Sequence, residues 1–94
     1  MTIEEIIKVS GLTDYEVENN SKDNSYTLRL PDSNVYSKVY TILDKSDNFD
    51  LDVDKMLLNE DISEFIYMCD NYDIKLIANL SEDKYKVIIE EAKD

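Results

Sequence analysis

Apolar and polar residues alternate with period two in one stretch after another, and that pattern limits what this chain can fold into more than any other feature. Phe49-Asp50-Leu51-Asp52-Val53-Asp54 alternates without a break. On a strand, successive side chains point to opposite faces, so three apolar groups would share one face and three carboxylates the other. Tyr15-Glu16-Val17-Glu18 and Tyr26-Thr27-Leu28-Arg29-Leu30 alternate as well, with turn formers filling Asn19–Ser25 between them; the pair predicts a β-hairpin. Ile74-Lys75-Leu76-Ile77-Ala78 and Tyr85-Lys86-Val87-Ile88-Ile89, joined by Leu80-Ser81-Glu82-Asp83-Lys84, predict a second. Ile62–Cys69 fits two patterns. Asp61 and Glu64 could box a short helix, whereas Phe65, Ile66 and Tyr67 favour a strand.

Helical signals are fewer. Thr2 and Glu5 form a capping box, Ile3, Ile6 and Ile7 fall on one face, and Gly11 stands where a helix commonly stops. Pro31 ends the strand before it, and Asp32 or Ser33 can cap a second helix running to about Lys45. That helix carries Val35, Val39, Ile42 and Leu43 on one side, with Tyr36 and Tyr40 beside them. The expected class is α+β: two or three short helices packed on a largely antiparallel β-sheet, in a single small domain. A chain of 94 residues that is 43% hydrophobic has enough apolar content for one modest core. Laying Ile3–Leu30 over Ile62–Ile89 matches Ile3 with Ile62, Glu5 with Glu64, Ile7 with Ile66, Asp14 with Asp73, Asn20 with Asn79 and Tyr26 with Tyr85. A helix-hairpin unit used twice would give those matches; so would chance, which is the default.

The residue inventory narrows function mainly by exclusion. There is no histidine, and Cys69, Gly11 and Arg29 are each the only residue of their type. Histidine-based catalysis, disulfides, cysteine zinc sites, glycine-rich phosphate cradles and arginine-built anion sites therefore all lack their residues. A non-enzymatic protein without cofactor or metal is expected, with Cys69 a small half-buried apolar residue and Arg29 paired across strands with Glu16 or Glu18. Asp50-x-Asp52-x-Asp54 opens like a calcium loop and Asp61 falls at its twelfth position, but Lys55 stands where the sharp turn needs glycine, and Asp61 replaces the bidentate Glu. The longest apolar runs, such as Val87-Ile88-Ile89, are far too short to span a bilayer, and Met1 leads straight into an acidic segment. A cytoplasmic protein is expected.

Charge is the positive clue. Twenty-two Asp and Glu against ten Lys and Arg leave a net charge of −12, which repels nucleic acid and anionic membrane and attracts basic proteins. Nine of the ten cations are lysine, beside abundant Ile, Asn and Tyr, a composition closer to an AT-rich genome than to a halophile. Residues 44–61 concentrate the acidity, with Asp44, Asp47, Asp50, Asp52, Asp54, Glu60 and Asp61 against two lysines. On a strand, Asp50, Asp52 and Asp54 would stand about 6.7 Å apart, roughly twice the axial rise per nucleotide of a DNA strand. Such a row can imitate phosphates; a solvated edge strand, charged against aggregation, would look the same.

In size, acidity, lack of catalytic groups and AT-rich style, the chain resembles the small phage-encoded inhibitors of bacterial defence nucleases, the anti-CRISPR and anti-restriction proteins. The resemblance covers general character over the whole chain and carries over no residues. It implies a stoichiometric inhibitor, acting in the host cytoplasm, that fills the basic groove of a nucleic-acid-binding nuclease or effector. The partner would be a basic protein, with no direct contact to nucleic acid or membrane. Asp50, Asp52 and Asp54 would form the central row and Asp44, Asp47, Glu60 and Asp61 its rim. The rival is an acidic interaction or immunity module that binds through tyrosines and apolar groups. Its best candidates are Tyr36 and Tyr40, one helical turn apart and expected to be exposed, followed by Tyr67 and Tyr72.

Overall fold

Period-two patterning builds a sheet here, and seven of the nine elements among the described residues belong to it. The structure, a computed structural model, describes residues 2–12, 15–20 and 25–92, excepting the side chains of Asn19 and Asn20. In chain order these form α1 (Ile3–Val9), β1 (Glu16–Asn20), β2 (Ser25–Leu30), α2 (Ser33–Lys45), β3 (Asp50–Leu51), β4 (Leu57–Leu58), β5 (Ile62–Cys69), β6 (Tyr72–Asn79) and β7 (Lys84–Glu91). All seven strands join one sheet in the order β1-β2-β7-β6-β5-β3, with β4 also on β5. Every pairing is antiparallel. The class is α+β, as the sequence predicts. Both predicted hairpins form; the turn of the first falls on residues 21–24, outside the described residues.

Register decides which side chains meet. On one face Leu28 stands opposite Val87, Val87 opposite Leu76 and Leu76 opposite Phe65. The next row on that face is Tyr26, Ile89, Ile74, Tyr67 and Leu51. Ile6 of α1 and Val39 and Leu43 of α2 complete this core. Leu28, Leu76, Val87 and Ile89 are wholly buried, each worth about 1.5–3 kcal/mol relative to exposure. The opposite face carries Glu16, Arg29, Lys86, Ile77, Glu64 and Leu57 in one register row. Arg29 is bonded to Glu16 and lies 3.8 Å from Glu18, the cross-strand pairing expected of it. Glu16 foremost raises the guanidinium's pKa. It also offsets Lys86, which stands directly opposite Arg29.

The helices start where their caps dictate. Thr2 Oγ1 accepts the Glu5 N–H at 3.2 Å while Glu5 Oε1 accepts the Thr2 N–H at 3.3 Å, and Asp32 Oδ1 accepts the Val35 N–H at 2.9 Å. Gly11 follows α1 with φ of +76°, and a Cβ there would lie 2.4 Å from Ile42 Cδ1. With a single glycine in the chain, the turns β5–β6 and β6–β7 place Asp70 (φ 52°) and Asp83 (φ 55°) in the left-handed region. Aspartate tolerates that region better than most residues.

Two open alternatives close and two expectations change. Ile62–Cys69 is a strand because Phe65, Tyr67 and Cys69 alternate onto the core, and because Asn59 Oδ1 accepts the Asp61 and Ile62 N–H groups at 2.8 Å where a helix cap would have used Asp61. A helix-hairpin repeat is therefore not formed, since α1 matches β5; Asp14 lies outside the described residues. The strand expected at Phe49–Asp54 shrinks to Asp50–Leu51. Tyr36 and Tyr40 are half-buried rather than exposed, with the Tyr36 ring 5.3 Å from Tyr85 and the Tyr40 ring 5.0 Å from Phe65.

Candidate functional site

Local structure accounts for many of the carboxylates, and the account shows which remain. Glu5 and Asp32 cap helices. Glu16 and Glu18 hold Arg29, Glu90 holds Lys75 at 2.6 Å, and Glu82 lies 3.7 Å from Lys84. Asp83 accepts the Tyr85 hydroxyl at 2.9 Å and Asp44 the Tyr67 hydroxyl at 3.4 Å. Asp70 occupies a left-handed turn position, Glu4 sits in the first turn of α1, where the helix dipole favours an acid, and Lys75, whose pKa is raised chiefly by Glu90, is raised a little further by Glu64 and Asp73. Asp47, Asp50, Asp54, Glu60, Asp61 and Glu91 are exposed and make no side-chain hydrogen bond or ion pair among the described residues. Glu91 ends β7; the other five lie between the end of α2 and the start of β5.

That segment is an edge built in two steps on β5. Asp50 pairs with Met68 and Leu51 with Tyr67; the Asp52 N–H then bonds the Ile66 carbonyl at 2.9 Å. Next the chain turns. The Lys55 N–H reaches the Asp52 carbonyl at 3.3 Å, the Asp54 N–H reaches Asp52 Oδ1 at 3.2 Å, and Lys55 Nζ lies 3.8 Å from Asp52 Oδ2. β4 resumes the ladder with Leu57 opposite Glu64 and Leu58 opposite Ser63. The even row of three carboxylates is thus not formed. Asp52, with a side chain only 17% exposed, builds the turn, while Asp50 lies on β3 and Asp54 within the turn itself. The Asp61 carbonyl accepts the Leu80 N–H at 2.7 Å, tying the end of the segment to the β6–β7 turn.

Between these carboxylates lie apolar side chains that the alternation does not reveal. Val53 is 66% exposed, Met56 36%, Leu57 44% and Leu58 58%, and Met68 on adjoining β5 is 41% exposed. These are five of the nine large apolar side chains exposed among the described residues. Leu57 falls on the open face and Leu58 on the helix side, so the patch wraps around the sheet edge. A signal was present in the sequence: the run Met56-Leu57-Leu58 breaks the alternation just after Asp54.

The remaining candidates serve the core. Tyr67 is buried beside Asp44, and burial first, then the Asp44 charge, pushes its phenol well up. The Tyr36 hydroxyl is buried without a well-formed hydrogen bond; burial raises its pKa, and Ser63 partly offsets this. Tyr72 is half-buried against the core. Burial chiefly, and Asp70 next, raise the Cys69 thiol, which holds it in the unreactive protonated form. Among the described residues no three carboxylate or thiol groups converge on a point where a metal could sit, and no helix is long and apolar enough to cross a membrane. A shallow depression of about 510 Å³ on the open face mixes Glu18, Glu64 and Glu82 with Arg29, Lys84 and Lys86 and has Leu57 at its margin. The chain matches no family model, no curated protein and no solved structure.

Proposed function

We propose that this is a non-enzymatic acidic binding protein that occupies the basic nucleic-acid groove of a partner, a CRISPR or restriction nuclease being the class that fits its charge and size. One observation carries the reading: of the six exposed carboxylates left over once caps, turns and ion pairs are assigned, five gather in the segment that forms one sheet edge, Asp47, Asp50, Asp54, Glu60 and Asp61, and only Glu91 lies elsewhere. Carboxylates held away from their own lysines keep their field for a partner. Lys and Arg that normally contact phosphate would pair with them, with association fast at low salt and weaker as salt rises. Mimicry in this form is a cluster over an irregular edge rather than a ladder with phosphate spacing, and Asp52 supports it from below.

The rival reading gains one observation and loses another. Tyr36 and Tyr40 pack inward, while Val53, Met56, Leu57 and Leu58 face outward among the acids. A competition assay tests the electrostatic reading: the chain is titrated into complexes of labelled duplex DNA with CRISPR and restriction nucleases. Stoichiometric release of DNA from at least one nuclease is expected, and Asp50→Lys, Asp54→Lys, Glu60→Lys and Asp61→Lys combined should abolish it. Release that persists in that variant, or no release from any nuclease, would sink the reading.

A further inference from the structure

The apolar patch on the acidic edge requires its own explanation. A solvated edge needs charge to stay unpaired, and a run such as Val53, Met56, Leu57 and Leu58 works against that purpose. Its residues are spread over both sides of the edge: Leu57 on the open face opposite Glu64, Leu58 on the helix side opposite Ser63, and Met68 beside Asp50. Asn59 donates its N–H inward to Ile62 at 3.0 Å. In an antiparallel ladder, bonding alternates residue by residue, so the Leu58 main-chain groups point away from β5 toward whatever lies outside.

Two kinds of occupant could cover such an edge. A second copy of this chain would set Asp50, Asp54, Glu60 and Asp61 against the same residues on its twin, and like charges that face each other across a strand pair destabilise it. A lysine- or arginine-rich segment meets the opposite condition, because its cations find carboxylates while its apolar row finds Leu57 and Met68 if it lies on the open face, or Leu58 if it lies on the helix side.

We propose that this edge docks an extended basic segment of a partner protein, with lysines or arginines alternating with apolar residues, and that its apolar row is anchored by Leu57 on the open face or Leu58 on the helix side, according to register, while the surrounding carboxylates select it. The inference rests on the proposed acidic binding function and adds a second, apolar requirement to it. Strand addition at a sheet edge supplies main-chain hydrogen bonds, and alternate side chains supply specificity.

The test uses two peptides of equal length and charge, one alternating Lys with Leu and one alternating Lys with Ser. Titration calorimetry gives their affinities, and amide chemical shifts locate their binding. Wild type should prefer the Lys-Leu peptide by about tenfold or more, equivalent to about 1.4 kcal/mol, with shifts centred on residues 50–61 and Met68. Leu57→Ser with Leu58→Ser should remove the preference. Val53→Ser with Met56→Ser, confined to the exposed turn, should reduce the preference and serves if the leucine variant fails to fold. Equal affinity for the two peptides, shifts on another face, a preference retained in both variants, or wild type that dimerises through this edge would each overturn the inference. The two readings fail separately: loss of Lys-Ser binding in the four-lysine variant tests the acidic function, and the Leu-over-Ser preference tests the anchor.

Discussion

Asp52 separates building the edge from presenting its charge, and replacing it two ways shows which it does. Its Oδ1 accepts the Asp54 N–H at 3.2 Å, and its Oδ2 lies 3.8 Å from Lys55 Nζ. A hydrogen bond of this kind contributes about 0.5–1.5 kcal/mol. The ion pair contributes about 0.3 kcal/mol at most, because the Lys55 side chain is 59% exposed and solvent screens it. Asp52→Ala loses both and should destabilise by about 0.5–1.8 kcal/mol, lowering the melting temperature of a domain this size by roughly 2–14 °C. Asp52→Asn keeps the Oδ1 acceptor and should cost no more than about 0.3 kcal/mol. Removing a charge from a chain at −12 also relieves self-repulsion, so both variants belong in high salt, where that gain is screened. Urea unfolding followed by circular dichroism measures the difference, and lysine-peptide titration at low salt provides the functional counterpart. Asp52→Asn should bind within about twofold of wild type, whereas Asp50→Asn with Asp54→Asn should bind several-fold more weakly. If Asp52→Asn is as unstable as Asp52→Ala, or binds as weakly as the Asp50/Asp54 variant, Asp52 acts through its charge and the turn argument is wrong.

Two further predictions concern the frame that carries the edge. Gly11→Ala puts a side chain at φ +76° and a Cβ 2.4 Å from Ile42 Cδ1, so a loss of about 1–2 kcal/mol is expected from the left-handed backbone, plus about 0.5–1 kcal/mol from displacing the isoleucine tip. In an Ile42→Val background, which lacks that tip, only the backbone share should remain; a double-mutant cycle with zero coupling would refute the contact. Stability should fall as pH rises above about 10, because tyrosines in the unfolded chain then ionise while buried Tyr67, whose phenol burial and Asp44 hold well above its usual range, stays protonated. The folded state binds the extra proton, so the slope is negative, about 1.4 kcal/mol per pH unit for each phenol so held. Tyr67→Phe should flatten it, and an unchanged slope between pH 10 and 12 would show that Tyr67 is not held this way.

Most of the sheet was legible because burial on one face imposes a period that survives in the sequence. The hairpin strands, the Thr2–Glu5 box, the Asp32 cap and the Arg29 pairing follow from rules that act within one strand pair or one helical turn. Ile62–Cys69 resisted because a box-like Asp61 and Glu64 compete locally with aromatic strand formers. Only pairing to β6, in full register from Ile62–Asn79 to Cys69–Tyr72, decides the matter. Tyr36 and Tyr40 were misplaced for a similar reason. Their position beside the aliphatic stripe does not tell whether a helix flank meets solvent or, as here, the rings of Tyr85 and Phe65.

The edge itself shows where a correct pattern can give the wrong structure. Phe49–Asp54 alternates perfectly, yet alternation states only that a strand would fit, and a strand needs a partner along its whole length. β5 offers an outer edge of eight residues to both β3 and β4, and Asp52 turns the chain after Leu51 so that Leu57 and Leu58 can take the other half. That division has a consequence for binding. An unbroken six-residue strand would have buried its apolar row against the core and shown only carboxylates. The break instead lifts Val53 and Met56 out of the sheet and sets Leu57 and Leu58 among Asp50, Asp54, Glu60 and Asp61. Charge alone attracts any basic surface, whereas charge around an apolar strip accepts only a basic segment with matching apolar groups, which is where selectivity among many cationic proteins would arise.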